Sequence, residues 1–277
     1  MRNSKPHAGN SFDFYKKVLK SKRDKDLKIF LAPYADDIEK LYKIYDDNFD
    51  SDSLALLKSR GFSENECTNL KELYKYSAKA FVDLRTELTT TENGREVHCQ
   101  YCTLSITNTF DHFVPQEEFA EFTIHPRNLH CCCSQCNSKK SNFWRDNDKT
   151  LFLNLYKDIL PEDQYLFATI KVDDKAVTVE FKLENNTSID TDLFALIETH
   201  YNKMGLFERF IEVSDGVISR FLSDLKAFDE PILSVNSLKV VKKQIESERN
   251  AMGRNYWQSI LKLALLECKD FMNLLNF

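Results

Sequence analysis

The sequence predicts an α+β chain, mainly helical, with a small cysteine-rich core between two helical regions and a β-hairpin C-terminal to that core. Three observations carry this expectation. Apolar residues recur at three- and four-residue steps in the stretches before residue 90 and after about residue 190, which is the spacing of one helix face. Six of the eight cysteines lie between Cys99 and Cys136, where that periodicity stops. Beyond them, two alternating segments flank a polar turn. The implied division is a helical N-terminal region 1–94, a core 95–150, and a hairpin plus helical C-terminal region 151–277.

The elements follow in order. Residues 1–35 are polar and lysine-rich with mixed signals, and no element is assigned there. From Asp36, the spacing of Ile38, Leu41, Tyr42 and Tyr45 predicts a helix whose first turn carries favourable negative charge. Ser63-Glu64-Asn65-Glu66 is a capping-box signature. It precedes Leu70, Leu73, Tyr74, Phe81, Leu84 and Leu88, which predict one long helix ending near Thr89 at an Asn93-Gly94 turn. Phe167–Val172 and Ala176–Phe181 alternate around Asp173-Asp174-Lys175 and predict the hairpin. Apolar stripes through Leu193 and Met204, Val217 and Leu225, Leu238 and Ile245, and Trp257 and Met272 predict the C-terminal helices, with those faces packed as core.

Composition narrows the class. The 277 residues hold 38 Lys+Arg and 43 Asp+Glu, a formal charge of −5, and 42% are hydrophobic, enough for a sizeable core and against wholesale disorder. The N-terminus lacks the apolar stretch of an export signal, and no window reaches the ~18 apolar residues of a membrane span. A cytoplasmic protein with no membrane contact is expected, and in a reducing compartment closely spaced cysteines point to metal rather than disulfides.

Cys99-Gln-Tyr-Cys102 and Cys133-Ser-Gln-Cys136 are two CxxC knuckles thirty residues apart. Each lets two thiolates converge on one tetrahedral ion, so together they supply the four soft ligands of a closed structural Zn²⁺ site. Cys131 and Cys132 precede Cys133 directly and leave a shifted ligand set open. Cys67 and Cys268 read as small core residues.

Between and after the knuckles stand Asp111-His112-Phe113-Val114-Pro115, then Asn128-Leu129, and Asn137-Ser138-Lys139-Lys140. The order CxxC, Asp-His-x-x-Pro, Asn-Leu, CxxC-Asn-x-x-Lys resembles the HNH nuclease family over roughly residues 97–145. Asn137 stands where many members have a third-position histidine, which makes this an HNN-type variant. The resemblance implies a ββα-metal fold and metal-dependent cleavage of DNA. It implies that His112 activates water, that Asp111 and Asn137 hold a catalytic Mg²⁺ or Mn²⁺, and that Asn128 ties the loop that orients His112. The layout as a whole is more loosely similar to HNH components of prokaryotic anti-phage systems such as Septu, which implies a defence or restriction effector and an ATPase partner docking on the helical regions.

The residue chemistry agrees with those roles. Hydrolysis of a phosphodiester needs a base, and an imidazole titrates near working pH. Carboxylate and amide oxygens suit a hard cation that keeps several waters. Adjacent strand residues face opposite ways, so Asp111 and His112 share a site only if the strand bends or ends there. Arg127, Lys139, Lys140 and Arg145 are candidates for phosphate contact, the last three on the presumed helix after Asn137. Phe143 and Trp144 are expected to pack that helix against the knuckle. His98, His125 and His130 read as turn-capping residues, with approach to phosphate or metal as the alternative. The alternative from another class is a non-catalytic zinc-knuckle module that binds nucleic acid or protein. Arg95–Lys149 carries six Lys/Arg against seven Asp/Glu, so weak non-specific DNA affinity is expected, with contact confined to the metal and the helix.

Overall fold

The computed structural model describes residues 1, 3–91, 94–174, 176–227 and 235–275. About 53% of the chain is helical, and among the described residues the strands pair as two-stranded antiparallel sheets, which is the predicted mainly helical α+β class. Contacts divide it into two compact units, Asn3–Ile159 and Leu160–Phe277 with Met1. Residues 3–94 and the cysteine-rich segment therefore belong to one unit, where the sequence division set them apart.

In the first unit the helices are α1 (Ser11–Ser21), α2 (Lys25–Leu31), α3 (Ala35–Asp50), α4 (Glu64–Lys71) and α5 (Lys79–Thr89). The first two occupy the stretch to which no element was assigned, and single capping residues start them. The Asn10 side chain accepts from the Asp13 amide, and Asp24 accepts from those of Asp26 and Leu27. Ser63 and Glu66 form the predicted capping box, but the long helix expected from it is two helices. After α4 the amides of Leu73 and Tyr74 bond three residues back, to Leu70 and Lys71, which tightens and ends the turn. Leu73 is buried, and the Tyr74 ring meets Phe81 edge-on at 5.2 Å.

Short strands β1 (Thr90–Thr91) and β2 (Gly94–Arg95) follow α5; Glu92 and Asn93 of the expected turn lie outside the described residues. Then come β3 (Thr109–His112), β4 (Leu129–Cys132), α6 (Ser134–Lys140), β5 (Arg145–Asp146) and β6 (Lys149–Thr150). Strands β3 and β4 are antiparallel, with Asp111 opposite His130 and His112 opposite Leu129, and α6 packs on β3. Tyr42, Tyr45, Phe81, Phe110, Phe113 and Phe122 are all buried, so the α3 and α5 side chains and the β3–β4 segment build one core.

The second unit opens with β7 (Leu166–Asp173) and β8 (Ala176–Leu183), paired from Leu166–Leu183 to Asp173–Ala176 as the hairpin reading requires; Lys175 of its turn is outside the described residues. Helices α7 (Thr191–Met204), α8 (Leu206–Lys226), α9 (Val235–Met252), α10 (Trp257–Glu267) and α11 (Lys269–Asn273) complete it. Gly205, at φ 56°, takes the left-handed turn between α7 and α8 that a side chain would disfavour. Phe210 and Trp257 stack at 5.2 Å under the hairpin's Phe181. No helix among the described residues is long and apolar enough to cross a membrane.

Candidate metal centre and the histidine at the end of a strand

Cys99, Cys102, Cys133 and Cys136 are all buried, and their sulfurs lie within 4.8 Å of one another. Four sulfurs on a tetrahedral zinc at about 2.3 Å would stand about 3.8 Å apart, and Cys102 Sγ and Cys133 Sγ are 3.9 Å apart. Each knuckle turns backbone amides onto sulfur, Leu104 N–H onto Cys102 and Cys136 N–H onto Cys133. The Cys133 sulfur is thereby also the N-cap of α6. The donor set fits a structural zinc and is closed to a fifth ligand. The open choice among cysteines resolves to Cys133. Cys131 and Cys132 belong to β4 and stand outside the four-sulfur group.

Asn128 sits at the start of β4 with every polar atom engaged. Its Oδ1 accepts from the Val114 amide (2.7 Å) and from Tyr45 Oη (3.1 Å), and its Nδ2 donates to the carbonyls of Val114 (3.0 Å) and Phe122 (3.1 Å). One side chain thus closes the loop between the two strands.

His112 ends β3 on the side of that loop. Its Nε2 lies 2.8 Å from the Thr123 carbonyl oxygen. A carbonyl can only accept, so Nε2 carries the proton and Nδ1 keeps a lone pair in the neutral ring. Burial, partly offset by the Asp111 charge, lowers the His112 pKa to about 4, so the ring is neutral at pH 7. Tyr74 meets it edge-on at 5.1 Å.

Asp111 does not join His112. The strand runs regularly through both residues, so the carboxylate points to the opposite face, where it is 2% exposed. Lys140 Nζ donates to Oδ1 at 3.1 Å and Tyr101 Oη to Oδ2 at 2.8 Å. His130, its cross-strand partner, is buried between the Tyr101 and Tyr156 rings, and burial lowers its pKa to about 3. A hydrated divalent cation keeps several waters. A carboxylate that is sealed from solvent and already carries an ammonium does not fit such an ion, and the expected pairing of Asp111 with Asn137 around Mg²⁺ or Mn²⁺ is not what these residues form. Asn137 is half-buried in α6, its backbone carbonyl accepting from Ser141.

The expected phosphate contacts are also mostly committed elsewhere. Lys140 is completely buried. Arg127 pairs with Asp46 and Asp50 and lies over Phe49. Arg145 is not on the helix, which ends at Lys140. It stands in β5, where its guanidinium donates to the Ala55 and Leu57 carbonyls, pairs with Glu118 and covers Trp144. Lys139 alone of the four is exposed. Of the two aromatic residues, Trp144 packs on Phe113 and Phe119, whereas Phe143 is 69% exposed.

The residues that sequence reasoning missed are Tyr45, Tyr101 and Thr123, and Lys140 in its inward role. The last was legible. Positions i and i+4 share a helix face, so once Cys136 must face a metal, Lys140 faces inward with it. No known protein family, curated protein or solved structure matches the chain.

Proposed function

We propose that this chain is an HNH-type endonuclease that hydrolyses phosphodiester bonds of DNA, with His112 as general base on a zinc-stabilised ββα core. One observation carries the reading. The Nε2–H bond to Thr123 fixes the tautomer and leaves the lone pair of the ring on Nδ1. The order β3, loop tied by Asn128, β4, knuckle and α6 also supports it. In the reaction, water attacks phosphorus while Nδ1 takes its proton. The bond from phosphorus to the 3′ oxygen breaks, leaving a 5′-phosphate and, once solvent protonates the departing oxygen, a 3′-hydroxyl. A hard cation, when bound, would neutralise phosphate charge; Asp111 as placed is assigned no part in holding it. A cytoplasmic location, a role in anti-phage defence or restriction and an ATPase partner rest on the sequence resemblances alone.

A second reading, a zinc module that binds without cutting, is favoured by the internal commitments of Arg127, Lys140, Arg145 and Asp111. Nicking of supercoiled plasmid separates the two, with zinc-loaded protein, Mg²⁺ or Mn²⁺, an EDTA control and His112→Ala alongside. Divalent-dependent nicking by wild type that His112→Ala lacks supports the nuclease. Equal cutting by both proteins removes His112 as base, and no cutting by either favours the binding module.

A further inference from the structure

Lys140 is 0% exposed, and an ammonium in such a place is costly unless it is both paired and hydrogen-bonded. Its Nζ makes two bonds that land on successive residues of β3. One goes to the Asp111 carboxylate at 3.1 Å, the other to the backbone carbonyl of His112 at 2.7 Å. The Phe113 ring lies 5.8 Å beneath it. An ion pair alone would account for the first bond. The second reaches past the pair to the last residue of the strand, the one whose imidazole is held by Thr123 from the other side.

We propose that Lys140 is a positioning residue for His112: its ammonium, held by Asp111, clamps the carbonyl at the end of β3 and so sets where the imidazole stands. Asp111 is then the counter-ion of this clamp. The inference rests on the reading of His112 as the base. His112 has two anchors of its own, Thr123 at Nε2 and Lys140 at its carbonyl, and the amide of the next residue, Phe113, bonds to the Asn128 carbonyl. Tyr101, from inside the first knuckle, holds the second Asp111 oxygen and prevents the carboxylate from turning away. The clamp spans β3 and the last turn of α6, whose first turn is fixed by the zinc cysteines.

The test compares Asp111→Asn with the double variant Asp111→Asn/Lys140→Met. Asparagine still offers an oxygen to Lys140 in the first, and no carboxylate is left unpaired in the second. The second therefore removes the bond to the His112 carbonyl together with the bond to residue 111, and leaves no buried charge unpaired. Folding is checked by thermal melting and by zinc content. Two readouts follow: kcat and KM for plasmid nicking with Mg²⁺, and the ring ¹⁵N spectrum of His112 in the resting protein. Displacement of a base by about 1 Å costs on the order of 100-fold. The double variant is expected to lose about that much in kcat relative to Asp111→Asn, with KM within about twofold, and to lose the fixed Nε2–H signature. A folded, zinc-loaded double variant with the kcat and imidazole spectrum of Asp111→Asn would overturn the proposal. If none of the proteins cuts DNA, the nuclease reading fails and the spectrum alone decides the clamp. If the double variant does not fold, the spectra of wild type and Lys140→Met make the comparison, since methionine has no donor for the His112 carbonyl, and an unchanged signature again overturns the clamp.

Discussion

Tyr45 on α3 donates a hydrogen bond of 3.1 Å to Asn128, eighty-three residues later, at the point where Asn128 closes the loop beside His112. A helix of the N-terminal region thus holds the residue on which the loop depends, which is why the first 94 residues do not form a separate body. Asn128→Ala leaves several buried backbone groups without partners and is expected to cost about 2–3 kcal/mol. Tyr45→Phe removes one of the four bonds and is expected to cost about 1 kcal/mol. Urea unfolding of the two variants checks the order; a larger loss for Tyr45→Phe would contradict it.

Zinc is expected at one ion per chain by elemental analysis. Cys136→Ser removes one ligand from a closed set and deprives α6 of its fixed first turn, so it should lower stability before any chemistry is considered. Recovery of a soluble variant with the wild-type melting temperature and no zinc would count against the structural site.

Acid should weaken the fold through its neutral buried histidines. The folded pKa values of about 4 for His112 and about 3 for His130 lie below the usual 6.5. As pH falls below 6.5 the unfolded chain therefore takes up protons that the folded chain does not. Stability present above pH 6.5 is lost progressively, down to about 4 for His112 and about 3 for His130, by up to about 3 kcal/mol for the first and about 5 kcal/mol for the second. Urea midpoints between pH 7.5 and 4.5 measure the slope. His112→Ala should make it shallower by up to one proton, and comparison with wild type cancels any acid release of zinc common to both. Equal slopes would show that His112 does not titrate differently on folding.

Arg145 and Lys139 should separate fold from binding. Arg145→Ala loses two bonds to backbone carbonyls and is expected to cost about 1–3 kcal/mol with DNA affinity changed less than about twofold. Lys139→Ala should leave stability within about 0.5 kcal/mol and reduce the salt dependence of DNA binding by about one phosphate contact. Melting curves and binding isotherms at several salt concentrations check both, and the opposite pattern would return Arg145 to the nucleic-acid surface.

Much of this was legible because it is local. Periodicity marks the helices after Ala35, alternation marks the hairpin, and knuckle spacing marks the cysteine cluster, with the choice of Cys133 over Cys131 or Cys132 left to the fold. What could not be read was relational. The break between α4 and α5 leaves the apolar spacing intact, because Leu73 and Tyr74 turn inward on either helical or turn backbone. Arg145 looks like a surface cation until β5 brings it under the Ala55 and Leu57 carbonyls. Asp111 and His112 look like one site in sequence, yet a strand that continues regularly through them sends them to opposite faces, and only the tertiary fold supplies the Lys140 and Tyr101 that receive the carboxylate.

Helix α6 is seven residues long, too short to persist on its own. It behaves as a short beam pinned at both ends, by sulfur at Cys133 and Cys136 and by the ammonium of Lys140. The metal cage and the end of β3 are thus joined through seven residues, while the ring of His112 is held from its other side by Thr123.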